Sequence, residues 1–189
     1  MKIAFIEPHL LEGIGGIRRI IEVSNRLLDR GHQVLIFTPK GGSCTWLQNK
    51  VHIFKLAKLG RYTFAHVIFN MAEQYKHALV ANSKHKIFWV LAPEATYKAP
   101  TVPVRALKQP FYFLANSEYT VKYIRDYGNV KQQDIPIIHG GVNPEHFKFD
   151  PKMPKTHHIL YFGSPRPWKG AALIESVVAG IPAIKVMKM

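Results

Sequence analysis

Hydrophobic residues along the chain follow two spacings, one typical of strands and one typical of helices. Apolar runs over residues 2–8 and 33–38 predict two buried strands. Between them, apolar residues spaced three and four positions apart from Ile17 to Leu28 predict a helix with one buried face. Gly31 follows this stretch, where glycine commonly ends a helix. The N-terminal part of the chain therefore predicts a β-α-β unit with parallel strands and a right-handed crossover.

The same alternation of strand and helix patterns continues along the chain. Further strands are predicted over residues 51–56, 64–69, 87–91, 111–115, 135–139 and 158–162, and further helices over residues 72–80 and 117–127. Ser117 is suited to cap the second of these helices. Alternating strands and helices are typical of a doubly wound parallel sheet, which binds ligands at the carboxyl ends of its strands. The predicted fold class is therefore α/β, with a Rossmann-like doubly wound parallel sheet.

Prolines indicate the clearest domain boundary. Pro144, Pro151 and Pro154 interrupt any regular element over residues 143–156. We therefore predict a Rossmann-like domain over residues 1–145, a linker over residues 146–156 and the start of a second domain over residues 157–189. This second part has the pattern of a strand, a helix and one further apolar segment, so we expect an incomplete βαβ domain.

The composition indicates a folded globular protein, with 47% hydrophobic and 20% charged residues. No apolar run approaches the roughly 18–20 residues that a membrane span requires, and the first apolar segment is too short for a signal peptide. A cytoplasmic location is therefore predicted. Cys44 is the only cysteine, which excludes an internal disulfide and a thiolate metal cluster. His157 and His158 have no further ligand at a suitable spacing, so no metal site is predicted.

The charge is strongly positive, with 26 Lys and Arg residues against 12 Asp and Glu residues, or +14 at pH 7. Much of the excess lies between Lys50 and Lys108, where the acids are Glu73 and Glu94 and aromatic residues are interspersed. Such a segment is compatible with an anionic membrane surface or a phosphate-bearing substrate. It is equally compatible with a solvated basic surface over an aromatic core. No recognised nucleic-acid motif is present, so nucleic acid is not a predicted partner.

Two segments have residues suited to binding phosphate. A glycine-rich loop, Gly13-Ile14-Gly15-Gly16, lies between the first strand and its helix, where backbone N–H groups and the helix dipole favour an anion. It matches neither the Gly-x-Gly-x-x-Gly motif nor the P-loop. Arg166 and Lys169 follow the strand that opens the second domain, and two cations at such a turn suit a diphosphate.

Several segments together resemble one protein family. They are Gly15-Gly16-Ile17-Arg18 after the first strand, Ala115-Asn116-Ser117 before a helix, the run from Ile135 to Phe147, and Tyr161-Phe162-Gly163 with Trp168-Lys169-Gly170. This set is similar to the retaining GT-B glycosyltransferases of the large family 4 type. The resemblance spans nearly the whole chain. Its most specific part is the segment 117–147 followed by Lys169 and Gly170.

The resemblance implies transfer of a sugar from UDP or GDP, with retention of configuration, to a glycan or lipid-linked acceptor. No cofactor and no metal are implied beyond this donor substrate. Gly15, Gly16 and Arg18 would lie near the donor phosphates and the acceptor. Arg166 and Lys169 would bind the donor diphosphate and stabilise it as a leaving group.

The catalytic position is less closely matched. Many family members have a histidine after the strand that corresponds to residues 87–91, and here that loop reads Ala92-Pro93-Glu94, which makes Glu94 the candidate catalytic residue. The family's segment of two glutamates separated by seven residues, which binds the donor, is not in this sequence. The chain is therefore expected to be a truncated form that is inactive alone.

An alternative function is a non-catalytic Rossmann-like module that binds anionic lipid or a lipid-linked phosphate through its basic face. This alternative, like a lipid-linked acceptor, predicts a peripheral position on the inner membrane face. The apolar residues of segment 171–189, among them Leu173 and Val177, would need to be covered, which predicts either a homodimer through this tail or disorder of the tail.

Overall fold

The structure is a computed structural model. It describes residues 1–11, 15–91, 101–128, 130–144, 150–152, 158–161, 170–179, 181 and 185–188. The chain divides into two compact units, residues 1–141 and residues 142–189. The predicted linker over residues 146–156 lies mostly outside the described residues.

The first unit is built on a parallel sheet of six strands, in the order β3-β2-β1-β4-β5-β6. The strands are β1 (Lys2–Ile6), β2 (Gln33–Thr38), β3 (His52–Lys55), β4 (Phe64–Phe69), β5 (Ser83–Val90) and β6 (Tyr112–Ala115). Each neighbouring pair is parallel. The strand order reverses between β1 and β4, which is the switch point where ligands bind in open α/β sheets. The predicted Rossmann-like doubly wound fold is confirmed.

Helices cover both faces of this sheet. They are α1 (Gly15–Asp29), α2 (Tyr75–Val80), α3 (Thr101–Leu107) and α4 (Glu118–Tyr127), with 3-10 helices over Leu56–Arg61 and Ala72–Gln74. Helix α1 forms because Ile17, Ile20 and Ile21 make one buried stripe. It is followed by Gly31, whose φ of 81° is the left-handed conformation that glycine adopts at helix ends. The predicted N-cap is also confirmed, since the Ser117 side chain accepts a hydrogen bond from the Thr120 N–H.

The two faces of the sheet bury separate cores because successive strand residues point to opposite sides. On one face, Ile3 and Phe5 of β1 lie in the same core as Ile17 and Ile20 of α1. The opposite face is covered by α2, α3, α4 and the 3-10 helices. The buried residues of these helices share a second core with the strand residues that point to this side of the sheet. Residues of even and odd number along each strand can therefore be assigned to a face.

Three elements differ from the sequence-based predictions. Strand β5 begins at Ser83, four residues before its predicted start, and α3 was not predicted at all. Residues 135–139 do not form a strand, and only an isolated bridge joins Ala115 to Ile137. The reason lies at the edge of β6, where the Gln132 side chain accepts from Phe113 N and donates to Phe113 O. This amide occupies hydrogen-bonding positions that a seventh strand would use.

The second unit contains β7 (His158–Tyr161), α5 (Ala171–Ala179) and β8 (Lys185–Lys188). The two strands pair in parallel, as the predicted βαβ arrangement requires. Along α5, Leu173 and Val177 are 67% and 57% exposed, whereas Val178 is buried. Among the helices of the described residues, none has both the length and the apolar character needed to cross a membrane.

Candidate functional site

A row of buried side chains crosses the sheet at the carboxyl ends of its strands. Extending the observed strand register by one residue aligns Thr38, Glu7, Asn70 and Trp89 on neighbouring strands. The row continues to Leu114, which pairs directly with Trp89. The face follows from alternation, because Trp89 and Leu114 pack in the core beneath α1. Polar residues therefore lie on both sides of the switch point between β1 and β4.

Glu7 is the most unusual member of this row. Its side chain is fully buried, and in the described part of the chain neither carboxyl oxygen has a hydrogen-bond partner. Its backbone N–H extends the pairing of β1 with β2 by donating to Phe37 O at 2.9 Å, which fixes the position of the side chain. Burial raises the pKa of Glu7 well above its usual value of 4.5. The structure thus favours the uncharged carboxylic acid at this position.

Other polar atoms at this edge also lack partners within the described residues. They are Asn70 Oδ1, Trp89 Nε1 and, just after β1, His9 Nδ1. An unpaired buried polar group costs about 1–3 kcal/mol. Most buried polar groups in native proteins are hydrogen-bonded, so a cluster of exceptions at a switch point is typical of a functional site.

The N-terminus of α1 lies directly against this row. A Cβ on Gly16 would be 3.3 Å from Asn70 Nδ2 and 3.7 Å from Leu91 Cδ1. The glycine therefore allows the helix backbone to approach β4 and β5 closely. Gly15 precedes it and is exposed, and a Cβ on Gly15 would have no atom within 4 Å. The N–H groups of the first turn have no partner within a helix, and together with the positive end of the helix dipole they make this terminus suited to an anion.

The two arginines of α1 have different surroundings. Arg18 forms an ion pair with Glu22 through Nε and Oε1, at 3.0 Å on the same helix. Arg19 instead lies over the indole ring of Trp89, with Cζ 5.4 Å from the ring centroid. Its Nη1 donates to Ile138 O at 3.3 Å. Burial lowers the pKa of Arg19, but a guanidinium stays charged in proteins.

Asn116 joins two elements of the same edge. Its Nδ2 donates to Leu91 O at 2.6 Å, and its Oδ1 accepts from the Thr120 hydroxyl at 2.6 Å. The side chain therefore ties the end of β5 to the first turn of α4. This fixes the point from which the chain leaves β5 towards Glu94.

The structure brings Gly15 and Gly16 to the switch point, and their contact with a phosphate stays a prediction. Arg18 lies on the same helix and is engaged with Glu22. Glu94, Arg166 and Lys169 lie outside the described residues. Among the described residues, no three His, Cys, Asp or Glu side chains form a group that could hold a metal ion.

The sequence-based reasoning missed four residues of this edge: Glu7, Asn70, Trp89 and Arg19. A charged residue directly after a buried strand is a usable signal for Glu7, and an amide directly after β4 is one for Asn70. Their proximity could not be read without the strand order. In the sequence, Arg19 differs from its neighbour Arg18 only in its predicted position around the helix.

The positive charge of residues 50–108 is spread over the outer surface. Lys58 and Arg61 of the first 3-10 helix, Lys76 of α2, Arg105 of α3 and Lys108, directly after α3, are all exposed. These elements cover the sheet face opposite α1. Most of the large aromatic residues of the same segment that the structure describes are buried or partly buried, among them Phe64, Phe69, Phe88 and Trp89. The cations thus form a solvated layer over an aromatic core.

Comparison with known proteins gives no relative from which to assign the site, because the sequence matches neither a protein-family model nor a curated protein.

Proposed function

We propose that the chain is the acceptor-side domain, with the opening of the donor domain, of a retaining GT-B glycosyltransferase that uses UDP- or GDP-sugars. The main support is the position of Gly16, which places the N-terminus of α1 against the polar row at the switch point. The strand order supports the same reading, because dinucleotide-type ligands bind where such an order reverses. The motif residues that resemble this family add independent support from the sequence.

In this proposal the chemistry is mainly electrostatic. Arg166 and Lys169 hold the donor diphosphate and stabilise the charge that develops on it as the glycosidic bond breaks. The first turn of α1, at Gly15 and Gly16, offers N–H donors to an anionic group of the bound substrates. Glu94 follows β5 and is the candidate for contact with the reacting sugar. No metal is required, because the side chains of Arg166 and Lys169 neutralise the negative charge of the leaving group.

The test is release of UDP or GDP from nucleotide sugars by the protein that the gene encodes, which requires reading the coding sequence beyond codon 189. We expect release by a product that includes the two-glutamate segment, and at least a hundredfold slower release after Arg166→Ala with Lys169→Ala, on the order of a lost oxyanion contact. Lys152→Ala is the control, since Lys152 is an exposed cation of the same unit.

Two results would contradict the proposal. An unchanged rate in the double variant would remove the roles assigned to Arg166 and Lys169. Absence of release with every UDP- and GDP-sugar, from a product that contains the two-glutamate segment, would remove the transferase function itself.

A second candidate function is docking on an anionic membrane surface. It is favoured by five exposed cations that lie in, or directly after, elements on one face of the sheet: Lys58, Arg61, Lys76, Arg105 and Lys108. A juxtamembrane cation contributes about 1 kcal/mol near an acidic bilayer. We expect sedimentation with phosphatidylserine vesicles that weakens as salt rises. Equal sedimentation with neutral phosphatidylcholine vesicles would count against this function, which is compatible with the first one.

A further inference from the structure

Arg19 is a partly buried cation with no counter-charge in the part of the chain that the structure describes. Within the described residues, no carboxylate lies within 4.0 Å of its guanidinium, whereas Arg18 and Arg26 both pair with Glu22. One of its five N–H donors is used by Ile138 O. The ring of Trp89 supports the guanidinium plane from one side. With respect to the described residues, this arrangement leaves a positioned charge and several donors available.

Two further groups that favour an anion lie beside Arg19. The first turn of α1 is one helical turn away, because Gly16 precedes Arg19 by three residues on the same face, a rise of about 4.5 Å. Asn70 is buried to more than nine-tenths and makes no hydrogen bond through Oδ1 within the described residues. The atom that faces Gly16 is its Nδ2, a donor from which an anion can accept. The nearest acid of the polar row is Glu7, and its burial favours the uncharged form.

From this geometry we infer that Arg19, the first turn of α1 and Asn70 form a binding site for a phosphate group. A phosphate matches the site because it accepts several hydrogen bonds at once, including paired ones from a guanidinium. Arg166 and Lys169 are assigned to the donor diphosphate, and we assign this phosphate to the acceptor. In that respect the inference rests on the proposed function. Arg19 is then the residue that selects acceptors with a phosphate.

The segment that follows β6 supports the position of Arg19. Ile138 N donates to Ala115 O at 2.8 Å, which fixes this segment to the end of β6. Gly140 lies against the guanidinium, since a Cβ on Gly140 would overlap Arg19 Nη2. Gly141 has nothing within 4 Å of the corresponding position. The chain therefore offers one glycine that controls where the guanidinium lies and a neighbour that does not.

The test is titration of the chain with inorganic phosphate, without any nucleotide sugar, followed by ³¹P NMR at constant ionic strength. We expect saturable binding to the wild-type chain. Arg19→Gln removes the charge and is expected to weaken binding about tenfold or more, as for a charge-assisted hydrogen bond. Arg26→Gln removes one charge from an exposed position of the same helix and is expected to change the affinity by less than about twofold, like a screened surface charge.

A second pair of variants tests the site without removing the charge. Gly140→Ala displaces the Arg19 guanidinium and is expected to weaken phosphate binding, and Gly141→Ala is its control. This pair also decides the question if Arg19→Gln does not fold, which thermal unfolding of each variant will show. The inference is overturned if the wild-type chain does not bind phosphate saturably. It is also overturned if the Arg19 and Arg26 variants, or the two glycine variants, weaken binding equally.

The source of the phosphate is resolved by vesicles. A loss of binding to phosphatidic acid vesicles in Arg19→Gln but not in Arg26→Gln supports a lipid headgroup, and an effect confined to inorganic phosphate supports a soluble phosphate ester. Failure here is distinguishable from failure of the proposed transferase. Loss of the Arg19 site leaves release of UDP or GDP dependent on Arg166 and Lys169, and an inactive transferase leaves phosphate binding in place.

Discussion

Replacement of Glu7 by glutamine should make the protein more stable, and increasingly so as the pH rises. In the folded chain, burial raises the pKa of Glu7 above its value in the unfolded chain. The folded state therefore holds a proton that the unfolded state has released. Stability from this group is fully present below the unfolded pKa of about 4.5 and falls as the pH rises towards the folded pKa. Glutamine has a similar shape and no proton to lose, so the penalty disappears.

The magnitude follows from proton linkage for one group. Between the unfolded and folded pKa values, one proton separates the two states, which corresponds to about 1.4 kcal/mol per pH unit in the free energy of unfolding. The difference between Glu7→Gln and the wild type should rise with this slope from about pH 5 upward. Above the folded pKa the difference should become constant, because the carboxyl group is then ionised in both states.

Urea denaturation followed by circular dichroism, repeated from pH 5 to pH 8, measures this difference. Glu73→Gln is the matched control, because Glu73 is an exposed carboxylate of the same unit. Subtracting its effect removes the general influence of one negative charge on a basic protein. A difference that does not change with pH, or that falls as the pH rises, would refute the claim that Glu7 is buried as an uncharged acid.

Other predictions concern local contacts, each with a neighbouring control. Gly16→Val should lower the free energy of unfolding by about 1–3 kcal/mol through overpacking, and Gly15→Val should lower it less, as measured in urea. Ser117→Ala should cost about 1 kcal/mol through loss of the N-cap, whereas Ser117→Gly should cost only a few tenths; equal losses would contradict the capping role. Gln132→Ala should expose the edge of β6 and increase aggregation measured by light scattering, whereas Gln133→Ala should not.

Strand and helix patterns were sufficient to predict the fold class because both are local. A buried strand such as β2 has to be continuously apolar, and the buried stripe of α1 has to recur every three or four residues. Local pattern determines less well whether an apolar run at the edge of the sheet forms a strand. Residues 135–139 have the composition of a strand, but hydrogen bonds from Gln132 already occupy part of the β6 edge.

The candidate site also combines residues that local sequence patterns predict with residues that only the fold brings together. The glycine loop before α1 was predicted from the sequence, because glycine at a strand-to-helix turn has a local physical reason. The sequence by itself therefore determined the α/β class, the parallel crossover, the helix caps and one side of the site. Glu7, Asn70 and Trp89 are far apart in the chain, and only the order of β1, β4 and β5 aligns them. Only the tertiary structure distinguishes Arg19 from Arg18, because the burial and the counter-charge of each arginine depend on which side of α1 meets the sheet.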